Sequence, residues 1–386
     1  MPTWEEIIDA ELTNDRKEGG RMCSGIAVLR QGRAQLFMLP NDGFRTLSSG
    51  FTNGGFRDGP LAVVNISGMG GKSEADYMSE GLDTCDKVSM AYAEKLGLNP
   101  ERVVFQTTSA SMDNAVIGDK ITSGGIDVSV SITAGIKHNA GRSGDPAVYD
   151  ESEAGTRGIS GTVIMILAID ADLSDAAMFQ AMLLATEAKS CVIHEMQVRS
   201  RYSQGLATGS GTDQVVIISN KSSSEKIETL DRTSSMARSI SDVISDNLRT
   251  AFAKQSGMVP ASQWEPLEQL ARIGVDADRI RMEMCFDATM RELEQAVERL
   301  RTDRFTTTLA SAVINIHDDI ARGLVTQEEG MALAKDICTK SILEENSDPV
   351  VALRLRDMET IPDLLSYVAA LKVMDVVVSR RGANGQ

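Results

Sequence analysis

The sequence predicts an α/β or α+β protein in which a mixed sheet is layered with helices, followed by an all-helical C-terminal region. Two observations predict this class. Residues 23–225 are rich in Gly, Ser, Thr, Val and Ile, whereas residues 226–386 are rich in Leu, Met, Ala, Arg and Glu. Within the first part, apolar or alternating runs are separated by glycine-rich turns and by segments with helical spacing.

The expected strands follow one another along the first part of the chain. Ile126–Thr133 alternates apolar and polar residues strictly, which is typical of a half-buried strand, and Thr162–Asp170 is predicted to be a continuous apolar strand. The remaining strand predictions are Pro60–Ile66, Arg102–Thr107 and Gln214–Ser219.

Helices are expected between these strands and throughout the second part. The stretch Ser73–Leu96 has apolar residues at helical spacing and ends at Gly97, and Ser174 is a good N-cap for a helix that runs to about Gln197. The second part has helix patterns over 234–255, 279–302, 306–322, 326–344 and 361–380, punctuated by Pro349 and Pro362.

Composition limits the function. With 386 residues, the chain is long enough for two or three domains. Its 39 basic and 55 acidic side chains give a net charge of −16, and no run supplies the basic face that a duplex nucleic-acid binder needs. The longest apolar run, Val163–Ile169, is far shorter than the ~20 residues of a membrane span.

Cysteine and histidine usage points to a reducing compartment without metal clusters. The five cysteines, an odd number, are widely spaced and form no CxxC pair. A disulfide framework and a zinc site are therefore not expected, and the three histidines stand apart. The first residues are acidic and lack the apolar segment of a signal peptide, so we expect a cytoplasmic protein without nucleic-acid or membrane partners.

Three segments carry more small and polar residues than a turn requires. The first, residues 133–146, holds Asn139, Arg142 and Asp145, which could orient polar groups of a ligand or simply order a surface loop. The second, residues 207–213, has no Lys and opens no evident helix, so it does not fit the phosphate-binding or dinucleotide templates.

The third segment joins Gly161-Thr162 to residues 186–189 of the next helix. A Thr hydroxyl can act as an acyl-transfer nucleophile beside a base or an amine, although Thr at the start of a strand is usually only a good strand former. Glu187 and Lys189 are two positions apart, so they do not face each other on a helix and should have different partners.

Taken together, these segments resemble the adenosylcobinamide amidohydrolase family. The combination of Thr186-Glu187-Ala188-Lys189 with the later ATGSGTD segment is its most specific part. The stretches that carry the resemblance are Asn53-Gly54-Gly55, 133–149, 161–178, 183–190, 200–220 and 253–275.

The resemblance implies hydrolysis of the aminopropanol amide of (adenosyl)cobinamide to (adenosyl)cobyric acid in corrinoid salvage. It implies a corrinoid as small-molecule substrate. The missing His and Cys clusters predict a metal-independent enzyme without a cofactor, and the helical tail is compatible with a possible homodimer. The matching domain would span residues 1–275, with a core at about 35–225 and a helical segment at 226–275 that ends the domain. Residues 276–386 would be a helical extension of unknown role.

We hypothesise that Thr162 is the nucleophile or lines the scissile amide, because Gly161-Thr162 is similar to the Ala-Thr segment that starts the nucleophile strand of ornithine acetyltransferase. Glu187 or Asp213 would act as base or acid, and Lys189 would hold charge. N–H groups of the turn 209–211 would stabilise the oxyanion. The substrate-binding candidates are Asn53, Gly54, Gly55, Asn139, Arg142, Asp145, Gly161, Thr186, Thr208, Gly209, Ser210, Gly211 and Thr212.

Two positions depart from the family pattern. Ile164 stands where an Asn is usual, and His138 is not expected at its loop position. These departures leave two alternatives open: a paralogue that acts on a different amide or acyl compound, and a non-catalytic protein that binds a corrinoid or another cofactor.

Overall fold

The computed structural model describes residues 16–67, 82–122, 124–148, 150, 162–284, 288–343 and 348–384. The chain forms two compact units, Met1–Val259 and Pro260–Gln386. The α/β class with a helical C-terminal region is confirmed. The domain limits expected from the sequence, 1–275 and 276–386, remain a prediction.

The described strands all lie in the first unit. In chain order they are β1 (Lys17–Arg21), β2 (Ala27–Gln31), β3 (Ala34–Met38), β4 (Phe44–Ser48), β5 (Gly55–Asp58), β6 (Ala62–Ser67), β7 (Val103–Thr108), β8 (Val116–Ile121), β9 (Asp127–Ala134), β10 (Ala140–Gly141), β11 (Val163–Ile169), β12 (Asp172–Leu173), β13 (Gly209–Ser210), β14 (Gln214–Asn220) and β15 (Lys226–Ile227).

The longer strands form two mixed sheets. The first has the order β1-β2-β3-β6-β7, and the second has the order β5-β4-β14-β11-β9-β8. Two neighbouring pairs, β6 with β7 and β11 with β14, run parallel, and the other neighbours in these sheets run antiparallel. All five strand segments expected from the sequence are present in these two sheets.

The helices follow in the same order along the chain. The first unit contains α1 (Leu82–Lys95), α2 (Asp175–Glu195) and α3 (Ser235–Ser256). The second unit contains α4 (Pro260–Gln263), α5 (Pro266–Arg272), α6 (Ala277–Met282), α7 (Met290–Leu300), α8 (Arg304–Ala321), α9 (Gln327–Leu343), α10 (Pro349–Asp357) and α11 (Ile361–Asn384).

The first unit is built in four layers. Along β11, Ile164 and Ile166 face the first sheet and share a core with Val63 and Val104. The alternate residues, such as Met165, face the other way and form a core with α2 and α3. The outer face of the first sheet has its own core against α1. Burial of β11 on both faces explains why its sequence is continuously apolar.

Helix α2 is fixed by its sequence at its start and along its inner face. The Ser174 hydroxyl accepts a hydrogen bond from the N–H of Ala177 at 3.1 Å, as the N-cap prediction expected. Small buried residues on its inner face, Ala177, Ala181 and Ala185, allow a close approach to the sheet. In the described part of the chain, α2 is the helix with the length and apolar composition of a membrane span, and half of that stretch is buried.

Two helix predictions need correction. The segment expected as one helix over 279–302 contains two helices, α6 and α7, and α7 begins at Met290 with a capping box between Thr289 and Glu292. This box satisfies the first free N–H groups and therefore starts a new helix there. Pro349, expected only to separate the helices at 326–344 and 361–380, begins a further helix, α10, that was not predicted, because Pro is tolerated in the first turn.

Part of the helix expected over 73–96 lies outside the described residues. Its described portion, α1, is followed by Gly97 with a φ of +73°, so the predicted glycine stop is correct. In the second unit, the helices surround a core of aliphatic side chains with Tyr367, and the buried Arg272 pairs with Asp318 through both guanidinium Nη atoms, at 3.0 and 2.9 Å.

Candidate functional site

The predicted site residues concentrate at one end of the second sheet. Thr162 immediately precedes β11, and Asp213 immediately precedes β14, which is the parallel neighbour of β11. Because parallel neighbours start at the same edge of a sheet, Thr162 and Asp213 lie together. Lys189 reaches this edge from α2, which packs against β14.

The centre of the site is a buried ion pair. The Lys189 Nζ lies 2.5 Å from the Asp213 Oδ2, and the two side chains are only 8% and 12% exposed. The carboxylate also accepts hydrogen bonds from the Ser210 N–H at 3.0 Å, the Ser210 hydroxyl at 2.5 Å and the Val163 N–H at 3.0 Å. A buried carboxylate tolerates its desolvation when it has this many donors.

Gly209 makes room for this pair. A Cβ at this position would overlap the Asp213 carboxylate and lie 2.7 Å from the Lys189 Nζ. Gly209 also pairs with Gly141 across the short ladder of β13 and β10, which ties the turn 209–213 to the glycine-rich loop that follows β9. The glycine is therefore required for close approach, not for an unusual φ.

Thr162 is buried beside the pair. Its hydroxyl donates to the Thr212 carbonyl at 2.5 Å, and its own carbonyl accepts from the Gly135 N–H at 3.0 Å. The hydroxyl proton therefore points to a carbonyl oxygen and not to a base. To act as nucleophile, this side chain must leave the Thr212 carbonyl by rotating about χ1. Gly161, predicted next to it, lies outside the described residues.

The glycine-rich loop is ordered by Asp145. Its carboxylate accepts from the Arg142 N–H at 2.7 Å and from the hydroxyls of Ser200 and Ser203 at 2.5 Å each. Burial raises the pKa of Asp145, but the hydrogen bonds from Ser200, Ser203 and Arg142 together outweigh it, so the net pKa is lowered. Asp145 stays ionised and holds the loops 135–148 and 198–208 together.

Three more substrate-binding candidates belong to this loop contact. The Thr208 hydroxyl accepts from the Ser143 N–H at 3.0 Å, and its carbonyl accepts from the Ser190 hydroxyl at 2.9 Å. The guanidinium of Arg142 reaches the Leu206 carbonyl at 3.4 Å, and Asn139 is buried. The sequence analysis named these residues but not Ser190, Ser200 and Ser203, although all three serines lie within stretches that carry the family resemblance.

Glu187 and Thr186 lie on the outer side of α2. Glu187 is paired with Arg232, whose Nε donates to its Oε2 at 2.8 Å, and this hydrogen bond lowers the pKa of the carboxyl. The prediction that Glu187 and Lys189 have different partners is confirmed. The Thr186 hydroxyl donates to the Met182 carbonyl within the helix at 3.0 Å.

Asn53, Gly54 and Gly55 form the hairpin between β4 and β5, beside the start of β14. The Asn53 amide donates to the Pro100 and Val103 carbonyls, both at 2.8 Å, with a φ of +54°. A Cβ on Gly54 would overlap the Gly50 carbonyl. The Asn53 amide, predicted to bind substrate, is thus already hydrogen-bonded within the protein and holds the hairpin in place.

The two departures from the family pattern lie in different environments. Ile164 is fully buried between the sheets, so its effect on any ligand must pass through packing. His138 lies on an exposed turn of the glycine-rich loop. Among the described residues, no group of three or more His, Cys, Asp or Glu side chains could hold a metal ion.

Comparison with known proteins identifies the family. The CbiZ family model, described as adenosylcobinamide amidohydrolase, matches residues 23–260. An uncharacterized protein of Methanocaldococcus jannaschii is 37% identical over 136 residues, which is 32% of this chain and 53% of that protein. The chain thus spans about half the length of this curated relative.

Among solved structures, the chain is similar to the crystal structure of a protein from Pyrococcus horikoshii OT3. That structure has 14% identity and a TM-score of 0.27, and the likeness covers 61% of this chain and 80% of that one. The family match spans more than half of the chain and includes both strands of the candidate site. The chain belongs to the adenosylcobinamide amidohydrolase family.

Proposed function

We propose that this protein hydrolyses the aminopropanol amide of (adenosyl)cobinamide and releases (adenosyl)cobyric acid and the free amino alcohol during corrinoid salvage. The family membership supports an amidohydrolase with a corrinoid substrate. The observation that carries the proposal is the buried pair of Lys189 and Asp213 beside Thr162, at the shared edge of two parallel strands. A buried, hydrogen-bonded pair of opposite charges beside a hydroxyl is a suitable centre for acyl transfer.

In the proposed mechanism, the Thr162 hydroxyl oxygen attacks the amide carbonyl carbon, the C–N bond breaks, and water then releases the acid. Asp213 takes the hydroxyl proton, and Lys189 delivers a proton to the leaving amine and recovers one from Asp213. Asp213 is preferred to Glu187 as base because Glu187 is exposed and already neutralised by Arg232. The alternative route is direct attack on the amide by a water molecule that Asp213 holds and activates.

The turn 209–211 would supply the oxyanion donor. The N–H of Ser210 is bonded to Asp213, so Gly211 is the member of the turn that we assign to the oxyanion. Asn139, Arg142 and Asp145 would bind the substrate by forming the ordered loop over the site. We further propose a metal-independent, cytoplasmic enzyme that can form a homodimer and has no nucleic-acid or membrane partner.

The test is turnover of adenosylcobinamide by the full chain, with adenosylcobyric acid and aminopropanol quantified by mass spectrometry. Thr162→Ala should lower turnover at least 100-fold, the order of loss expected for a nucleophile or an equivalent catalytic group. Thr250→Ala is the matched control, because Thr250 lies on the exposed side of α3 and its hydroxyl donates to the Asp246 carbonyl within that helix. Intact mass tests for autocleavage, since a version of the mechanism in which the free amine of Thr162 is the base requires a chain cut before Thr162, and an uncut chain rules that version out.

Two outcomes would favour the alternatives. Binding of adenosylcobinamide without turnover in the wild-type chain would identify a corrinoid-binding protein. Turnover of another amide but not of adenosylcobinamide would identify a paralogue with a shifted substrate, and Ile164 would then be the first position to change. Near-normal turnover by Thr162→Ala would remove the nucleophile role from this residue.

A further inference from the structure

Two buried carboxamides lie side by side between the sheets. Asn65 on β6 and Gln106 on β7 are register partners on adjacent parallel strands, and they are 2% and 1% exposed. Asn65 comes two residues after Val63, and Gln106 comes two residues after Val104. Because residues two apart on a strand share a face and both valines face the second sheet, both carboxamides lie on the inter-sheet face. Adjacent strands are about 4.8 Å apart, so the two side chains start from neighbouring positions, and their NH₂ groups extend to strands on either side of β14 and β11, to Thr133 on β9 and to Ser48 on β4.

Both carboxamides use their NH₂ groups to reach protein partners. The Asn65 Nδ2 donates to the Thr133 hydroxyl oxygen at 3.1 Å, and the Gln106 Nε2 donates to the Ser48 hydroxyl oxygen at 2.8 Å. The Gln106 Nε2 also donates to the Phe105 carbonyl at 2.7 Å. Because a carbonyl can only accept, this bond fixes the orientation of the Gln106 carboxamide and directs its oxygen elsewhere.

The oxygens of both side chains have no donor. The Asn65 Oδ1 and the Gln106 Oε1 are buried and have no hydrogen-bond partner in the described part of the chain. An unfilled buried acceptor is costly, so a neighbouring pair of them calls for an explanation. Another carboxamide on the same face, Gln35, differs, because its oxygen accepts from the Ser131 hydroxyl at 3.2 Å.

Asn65 lies further along the inter-sheet face than Thr162, and Gln106 lies further still, because its partner Ser48 pairs with Val216, which pairs with Ile166. Thr133, which Asn65 contacts, is the register partner of Ile164, two residues after Thr162 on the same strand. Two residues of strand correspond to a depth of about 7 Å. In an amide of a 1,2-amino alcohol, the hydroxyl oxygen lies roughly 3 Å beyond the amide nitrogen, and a hydrogen bond adds about 2.8 Å. The reach of the leaving arm, which is the sum of the last two lengths, is therefore comparable to the depth of Asn65 below Thr162.

We propose that the Asn65 and Gln106 oxygens form the subsite for the hydroxylated amine that leaves, and that they accept hydrogen bonds from its O–H and N–H groups. This inference rests on the proposed function. It requires the leaving arm to enter the inter-sheet seam from the Thr162 end when substrate binds. An amide without the hydroxyl would leave an acceptor unfilled, and a site built to bond a hydroxyl rejects such an analogue.

The experiment compares two substrates on the full-length protein: adenosylcobinamide and its analogue with propylamine in place of aminopropanol. The wild type should prefer the hydroxylated substrate about 10- to 100-fold in kcat/KM. In Gln106→Met and in Asn65→Leu, which remove the oxygens at similar volume, the preference should fall to within about threefold of unity. Gln35→Met, which removes a carboxamide whose oxygen has a donor, should keep the wild-type preference.

The ratio of the two substrates is measured on one sample, so partial misfolding of a variant cancels. A purely structural role for the pair would slow both substrates equally and leave the ratio unchanged, which would overturn the inference. A wild-type ratio near unity would overturn it too, while the proposed function would stand. Cleavage of neither substrate by the wild type would overturn both.

Discussion

Removing the two partners of the buried pair should have unequal costs. In the described part of the chain, Asp213 is the hydrogen-bonding partner of the Lys189 ammonium, whereas the Asp213 carboxylate keeps three further donors from Ser210 and Val163. Asp213→Asn therefore leaves a buried positive charge without a counter-ion. Lys189→Met leaves a buried carboxylate that is still hydrogen-bonded. The asymmetry follows from the geometry alone.

The expected magnitudes differ accordingly. An uncompensated buried charge costs about 3–5 kcal/mol of unfolding free energy, which is the loss we expect for Asp213→Asn. Lys189→Met loses one charge-assisted hydrogen bond, worth about 1.5–3 kcal/mol. In the double variant neither charge remains, so its loss should fall short of the sum of the single losses by about 1–3 kcal/mol.

Hydrogen–deuterium exchange with mass spectrometry is the appropriate assay, because it reads peptides of the first unit separately from the helical second unit. Peptides covering β11 and β14 contain the N–H groups of Val163 and the strands that the pair anchors. The exchange rates give the free energy of opening for each variant. A suitable surface control is Lys340→Met, which breaks the exposed pair with Asp336 and should leave these peptides unchanged.

The reasoning would be refuted if Lys189→Met opened β11 and β14 as readily as Asp213→Asn does. It would also be refuted if the two losses added within about 0.5 kcal/mol, because contacting charges must show coupling.

Four further predictions concern single positions. Gly209→Ala should destabilise the first unit by about 1–3 kcal/mol through overlap with the ion pair, checked by the same exchange assay. Arg272→Lys should destabilise the second unit by about 1–3 kcal/mol, because lysine cannot form both bonds to Asp318; an unchanged exchange in α5 and α8 would contradict this. Burial lowers the pKa of His317 below 6.5, so the unfolded state binds the proton first; stability should fall as the pH drops below 6.5, and His317→Asn should flatten that slope in urea titrations. The lowered pKa of Asp145 means that its contribution is complete above pH 3.8 and is lost as the pH falls through the folded pKa, so the 135–148 loop should gain protease sensitivity only in stronger acid.

Much of the central scaffold could be predicted from sequence. The apolar run 163–169 and the capped helix after Ser174 are long, strongly patterned elements, and both occur within two residues of the expected bounds. The loops 133–146 and 207–213 were identified as special because they exceed the needs of a turn. The sequence did not predict that the two loops pair with each other through Gly141 and Gly209, because pairing between distant loops leaves no local periodicity.

The division into two sheets was not predicted. Strand β1 is polar and mostly exposed, and β2 and β3 are short, so the segment 17–38 lacks a strong strand pattern. Asn65 and Gln106 lie within β6 and β7 but break the apolar pattern of these strands. Their partners across the inter-sheet face, Thr133 and Ser48, are polar too, and a hydrophobic pattern cannot represent such contacts. The Lys189–Asp213 pair joins residues 24 apart, and the sequence named both without indicating that they meet.

The position of β14 has a consequence for the order of folding. This strand lies between β4 and β11, and 166 residues separate Ser49 from Val215, which hydrogen-bonds to it. Such non-local pairing is slow, because loop closure precedes any gain from contacts. During synthesis, β4 and β11 emerge before β14 and must wait as open edges. Insertion of β14 then completes the second sheet and brings Asp213 to Lys189, so completion of this sheet and formation of the candidate site are the same step.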